Sequence, residues 1–154
     1  MNYCFCEFKV ENRQIFDSLC RIFQEIKRDK DTNKWRNEED WLAFFDEQAL
    51  STFWWPTEEE QAEWLRNWEA TPVPQRWTEP SLETPWDFES MIDAFKNGEY
   101  ELISCRMISS DLARIEFNPL AYPYGGTGCI QALIESFGFL IVGEDDGTGY
   151  IKFQ

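Results

Sequence analysis

The segment Tyr122-Pro123-Tyr124-Gly125-Gly126-Thr127-Gly128, running into Cys129, has the residue types of a small-ligand or anion site. Glycines let backbone amides converge, and the first amides of a helix lack intrahelical partners and so attract an anion. Two tyrosines would stack on a ligand or wall it off. Cys129 is a candidate nucleophile, because a helix N-terminus favours the thiolate. The same residues also describe a tight strand-to-helix connection with Thr127 as its cap. The segment lacks the Lys-Ser/Thr pair of a phosphate-cradling loop and the glycine spacing of a dinucleotide fold.

Other chemistry is constrained by what the chain lacks. It contains no His, which excludes serine-hydrolase and zinc-hydrolase schemes built on imidazole. Five cysteines stand at 4, 6, 20, 105 and 129, with no Cys-x-x-Cys pair. This is not a secreted disulfide framework, and reduced thiols in a cytoplasmic protein are expected. Cys4 and Cys6 would need two further ligands to hold zinc, and on an alternating strand they read as core. Glu144-Asp145-Asp146 offers oxygens for a divalent cation, but the EF-hand spacing is absent, and Asp before Gly147 reads as a hairpin turn. No catalytic constellation is recognisable, and no cofactor or metal is implied.

A second group of residues points to binding instead. All eight Trp lie between Trp35 and Trp86, whereas all eight Gly lie at or after Gly98. The net charge is −15. It is concentrated in residues 37–104, which carry seventeen acidic and three basic residues. Such a field opposes binding to nucleic-acid phosphates and to anionic membranes and attracts basic proteins. Trp54, Trp55 and Trp77 fall at helix breaks or in a Pro-rich connector and are expected to be partly exposed. With Glu58, Glu59 and Glu60 they form the candidate docking residues. Trp41, Trp64, Trp68 and Trp86 have helical spacing and are expected to fill a core.

The pattern of the chain supplies the elements that must position these groups. Residues 3–10 alternate as a strand, with Cys4, Cys6, Phe8 and Val10 on one face and Tyr3, Phe5, Glu7 and Lys9 on the other. Residues 12–27 carry a helical apolar stripe, and 27–37 read as a polar loop. A helix is expected over 38–53, broken by Trp54-Trp55-Pro56. The next runs over 58–69, opened by a Thr57/Glu60 capping box and burying Trp64, Leu65 and Trp68. Residues 71–86 hold four prolines and are expected to be extended but anchored by Val73, Trp77, Leu82 and Trp86. Thr84-Pro85 reads as the start of a helix that runs to Asn97 and stops at Gly98 in the left-handed conformation. Strands at 99–108 and 112–118, a helix at 129–137, and strands at 139–143 and 150–153 complete the pattern. No stretch reaches 18 apolar residues, and the N-terminus lacks the pattern of a signal peptide.

The resulting expectation is an α+β protein of one domain, 1–154. A helical N-terminal half of about 11–97 packs on a mainly antiparallel sheet in two layers. The C-terminal half, about 98–154, has the order β-β-α-β-β, and strand 3–10 joins its sheet. The function these observations favour is that of an acidic, non-enzymatic interaction protein. It would bind or neutralise a basic protein partner, as immunity-type and inhibitor proteins do. Two alternatives stay open: a small-ligand, anion-binding or enzymatic domain using residues 122–129, and a nucleic-acid mimic whose carboxylates copy phosphate spacing.

Overall fold

The computed structural model describes residues 2–154. In chain order its regular elements are β1 (Cys4–Lys9), α1 (Arg13–Thr32), α2 (Glu38–Leu42), α3 (Glu47–Leu50), α4 (Glu58–Ala70), α5 (Phe88–Asn97), β2 (Tyr100–Met107), β3 (Leu112–Pro119), α6 (Gly128–Ser136), β4 (Leu140–Asp145) and β5 (Tyr150–Lys152). The five strands form one antiparallel sheet in the order β2-β3-β1-β4-β5. The fold is α+β, with most helices in the N-terminal part, and α1 and α6 pack against strands of the sheet. Among the described residues no helix is long and apolar enough to cross a membrane.

The N-terminal strand occupies the centre of the sheet, which explains a departure from simple alternation. Phe5 and Glu7 lie on the face opposite Cys4, Cys6 and Phe8, yet both are buried alongside them. The second face of β1 is covered by long side chains reaching over from other strands. Tyr150 stacks on Phe5 at 5.9 Å. The Arg114 guanidinium sits 3.8 Å from the Phe5 ring centre and donates to Glu7 at 2.8 Å.

Helix α1 begins where Asn12 accepts a hydrogen bond from the Ile15 amide at 3.1 Å. Its buried stripe is Phe16, Leu19, Ile22, Phe23 and Ile26. The helix continues to Thr32, through residues expected to form a polar loop. Ion pairs one turn apart, Lys27–Asp31 at 2.8 Å and Glu25–Arg28 at 2.7 Å, support the extension. Lys30 reaches across to the carbonyls of Phe95 and Gly98 at 2.6 and 2.7 Å and so satisfies the end of α5. Asn33, with φ of 54°, closes α1.

The run 38–53 is two short helices, α2 and α3, and not one. Asn37 and Asp46 each accept from the backbone amide three residues on, so a second cap inside the run restarts the helix. Asp87 caps α5 through the Ser90 amide at 3.0 Å, which moves the start from Thr84-Pro85 to Phe88. Gly98 ends α5 with φ of −64° and not in the left-handed region. A Cβ there would collide with the Tyr100 ring, so close packing accounts for this glycine. Gly138, by contrast, stops α6 with φ of 82°.

One continuous core draws on both halves of the chain. Phe45 and Phe53 from the α2–α3 region meet Phe88 of α5 edge-on at 5.0 and 5.2 Å. Trp41 is fully buried there, as its helical spacing predicted.

Candidate functional site

Pro56 ends the preceding segment, and Thr57 restarts the chain as α4. The Glu60 amide donates to Thr57 Oγ1 at 3.2 Å while the Thr57 amide donates to Glu60 Oε1 at 3.3 Å. Glu58, Glu59 and Glu60 thus occupy the first turn, where the helix dipole favours negative charge. All three carboxylate residues are exposed.

Helix α4 buries no residue, contrary to the expectation for Trp64, Leu65 and Trp68. Leu65 is 48% exposed. The two tryptophans are half-buried, but against aromatic neighbours in place of the central core. Trp64 stacks on Trp68 at 5.4 Å and tilts against Trp54 at 6.2 Å. Trp77 meets Trp68 edge-on at 5.2 Å, and Arg76 lies over the Trp68 ring. The Trp64 indole donates to the Leu82 carbonyl at 2.9 Å, and Leu82 itself is buried. The connector is folded back to make these contacts by two 3₁₀ turns, Val73–Gln75 and Pro80–Leu82, and is not simply extended.

Exposed indoles rim this lobe. Trp77 is 84% exposed and Trp55 is 49% exposed, while Trp54 is half-buried. Trp55 is nevertheless held in place, because its indole donates to the Leu50 carbonyl at 2.7 Å and its ring stacks near Phe88 at 6.1 Å. Trp86, expected in the core, is 41% exposed. It precedes the Asp87 cap, so helical spacing does not govern its direction; Asp87 as an N-cap residue was the available signal. The Trp54 amide donates to the Trp86 carbonyl at 2.9 Å and ties the two segments together. Gly128 leaves room for the Trp86 ring, which a Cβ there would meet at 2.7 Å.

Carboxylates gather on the neighbouring α2–α5 surface. The Glu38 carboxyl is raised above its usual range, first by burial and then by the charges of Glu89, Asp87, Asp93 and Glu39. Sequence reading located the acidic segment but not this convergence, which brings the first turn of α2 near the cap and first two turns of α5, distant in the chain.

The Tyr/Gly loop is organised inward. Tyr124 is buried against Phe117 and Tyr100, and its hydroxyl donates to the Asp146 carbonyl at 2.9 Å. Tyr122 is exposed, as are Gly125 and Gly126, whose φ values are 105° and 79°. Thr127 does not cap α6 with its side chain; its hydroxyl donates to Glu144 at 2.7 Å, where Gln131 also donates at 3.1 Å. Cys129 is buried beside the Tyr100 hydroxyl at 3.2 Å. Burial pushes its thiol up, outweighing the lowering contributions of Tyr100 and the nearby amides. The activation expected from the helix N-terminus is therefore overridden by desolvation.

The remaining acidic triplet is used in folding. Asp145 accepts from the Gly147 and Gly149 amides, and Asp146 from the amide and hydroxyl of Thr148. Among the described residues no group of three or more His, Cys, Asp or Glu is arranged to hold a metal ion. No protein-family model, curated protein or solved structure matches the chain.

Proposed function

We propose that this protein is an acidic interaction module that binds, and thereby neutralises, a basic protein partner. The observation that carries the reading is the exposure of three indoles: Trp55 lies just ahead of the carboxylates that open α4, Trp86 stands next to Asp87 of the acidic α2–α5 surface, and Trp77 packs on Trp68 near the other end of α4. Rigid aromatic anchors set how long a complex lasts, and complementary charge sets how quickly it forms. The internal pairing of Tyr124, Thr127 and Cys129 gives the ligand-site alternative less to work with. Five free thiols fit a reducing, cytoplasmic setting.

Affinity capture from a native lysate, followed by kinetics with the captured protein, tests the reading. The captured protein is expected to be basic. Trp55→Ala or Trp77→Ala should weaken the complex by about 2 kcal/mol, or roughly 30-fold. Reversing Glu58, Glu59 and Glu60 to Lys should slow association at least about tenfold at low salt, with little change in dissociation. A captured partner of neutral or acidic charge, or kinetics indifferent to both salt and charge reversal, would overturn it.

A further inference from the structure

Two thiols stand apart from everything above. Cys20 lies on α1 outside its buried stripe, and Cys105 lies on β2, an edge strand of the sheet. Their Sγ atoms are 3.5 Å apart, and Cys20 Sγ is equally close to the Cys105 carbonyl oxygen. Both are only partly buried, whereas Cys4, Cys6 and Cys129 are buried. Cys20 also lines a cavity of about 550 Å³ together with Ser18, Arg21, Ile22, Phe44 and neighbouring polar residues. The pair is therefore accessible to a small reactant from the Cys20 side.

We propose that Cys20 and Cys105 form a reversible oxidation site, in which a small hydroperoxide reaching Cys20 through this cavity converts the facing thiols into a disulfide that staples α1 to β2. The cavity sets the division of labour, because Cys20 lines it and Cys105 does not. Once Cys20 ionises, the Cys105 thiol 3.5 Å away can donate to it, which favours the Cys20 thiolate. The thiolate is the nucleophile, so Cys20 attacks first.

In the first step the Cys20 sulfur bonds to one peroxide oxygen, the O–O bond breaks, and the departing oxygen takes a proton as alcohol or water. Cys20 is left as a sulfenic acid. In the second step the Cys105 sulfur attacks Cys20 Sγ and the S–O bond breaks. Water leaves, carrying the proton of Cys105. Two thiols lose two electrons in total and the hydroperoxide gains them. Closing the gap from 3.5 Å to the roughly 2.05 Å of a disulfide needs a side-chain rotation.

The test uses the full chain and hydrogen peroxide. Limiting peroxide, blocking of the remaining thiols and a non-reducing peptide map should reveal a Cys20–Cys105 linked peptide that dithiothreitol reverses. The oxidised protein should melt at a higher temperature, because the new bond closes a long loop. Cys105→Ser should leave a sulfenic acid on Cys20 that dimedone traps, and Cys20→Ser should abolish rapid thiol loss. If either variant misfolds, the wild-type peptide map decides alone. The proposal is overturned if both thiols stay free at peroxide levels that oxidise free cysteine, or if the linked peptide joins other cysteines.

Discussion

Glu116 and Glu7 occupy adjacent strands, and each is met by an arginine. Glu116 accepts from Arg106 at 2.7 and 3.3 Å and from Ser104 at 2.6 Å. Its carboxyl is held below its ordinary value of 4.5, first by the Arg106 hydrogen bond. A carboxylate with a depressed folded value contributes stability that is complete above the unfolded value and lost as pH falls through the folded one. Glu116→Gln is therefore expected to lower stability at neutral pH by about 1–2 kcal/mol, a modest figure because Arg106 is largely solvated. The loss should shrink as pH drops below 4.5, so the melting temperatures of variant and wild type converge in acid. A difference that stays constant down to strongly acidic pH would count against this account. Such pairings were not legible in the sequence, since alternation gives the face of a residue and not its partner on the next strand. The inward use of Thr127 and Cys129 was hidden for the same reason: helix-start chemistry is local, whereas Glu144 and Tyr100 arrive from other strands.

Element boundaries were easiest to read where capping is local. The Thr57/Glu60 box located the start of α4, and Gly138 the end of α6. The split of 38–53 was less visible, because Asp46-Glu47-Gln48 also fits the polar face of a single helix, and Asp46 is a cap only through its bond to the Ala49 amide. What sequence did not reveal was which surface covers α4. Periodicity identifies an apolar face, but the covering surface here is a folded-back connector and not the sheet. With no fully buried side chain of its own, α4 should open at lower free energy than α1 or α6. Hydrogen exchange across 58–70 should accordingly outpace exchange in α6, and Trp64→Ala should accelerate it by removing the indole bond to Leu82 and the stack on Trp68. Equal protection of the two helices in the wild type would show that the lobe is integral to the core. Loose attachment leaves Trp55 in place, since it is anchored by the Leu50 carbonyl and Phe88 outside α4, whereas Trp77 packs on Trp68 and moves with the lobe.

At the scale of the whole molecule, a charge of −15 is a standing repulsion that salt relieves. Going from 0.01 M to 0.15 M salt shortens the screening length from about 30 Å to about 8 Å. Surface ion pairs such as Lys27–Asp31 are weakened too, but each is worth at most about 1 kcal/mol. Repulsion should dominate, and the melting temperature should rise by about 3 °C over that range. Neutralising Glu58, Glu59 and Glu60 to Gln should reduce the rise; an unchanged or inverted salt response would show that local pairs govern instead. The placement of β1 at the centre of the sheet has a temporal consequence as well. Cys4 is paired with Phe117, and Phe5 with both Glu116 and Asp145. The first strand must wait, with two bare edges, for partners more than a hundred positions further along. Assembly of this sheet is thus governed by remote encounters, which are slow to find, and the vulnerable interval for misassociation lies before β3 and β4 close around their common neighbour.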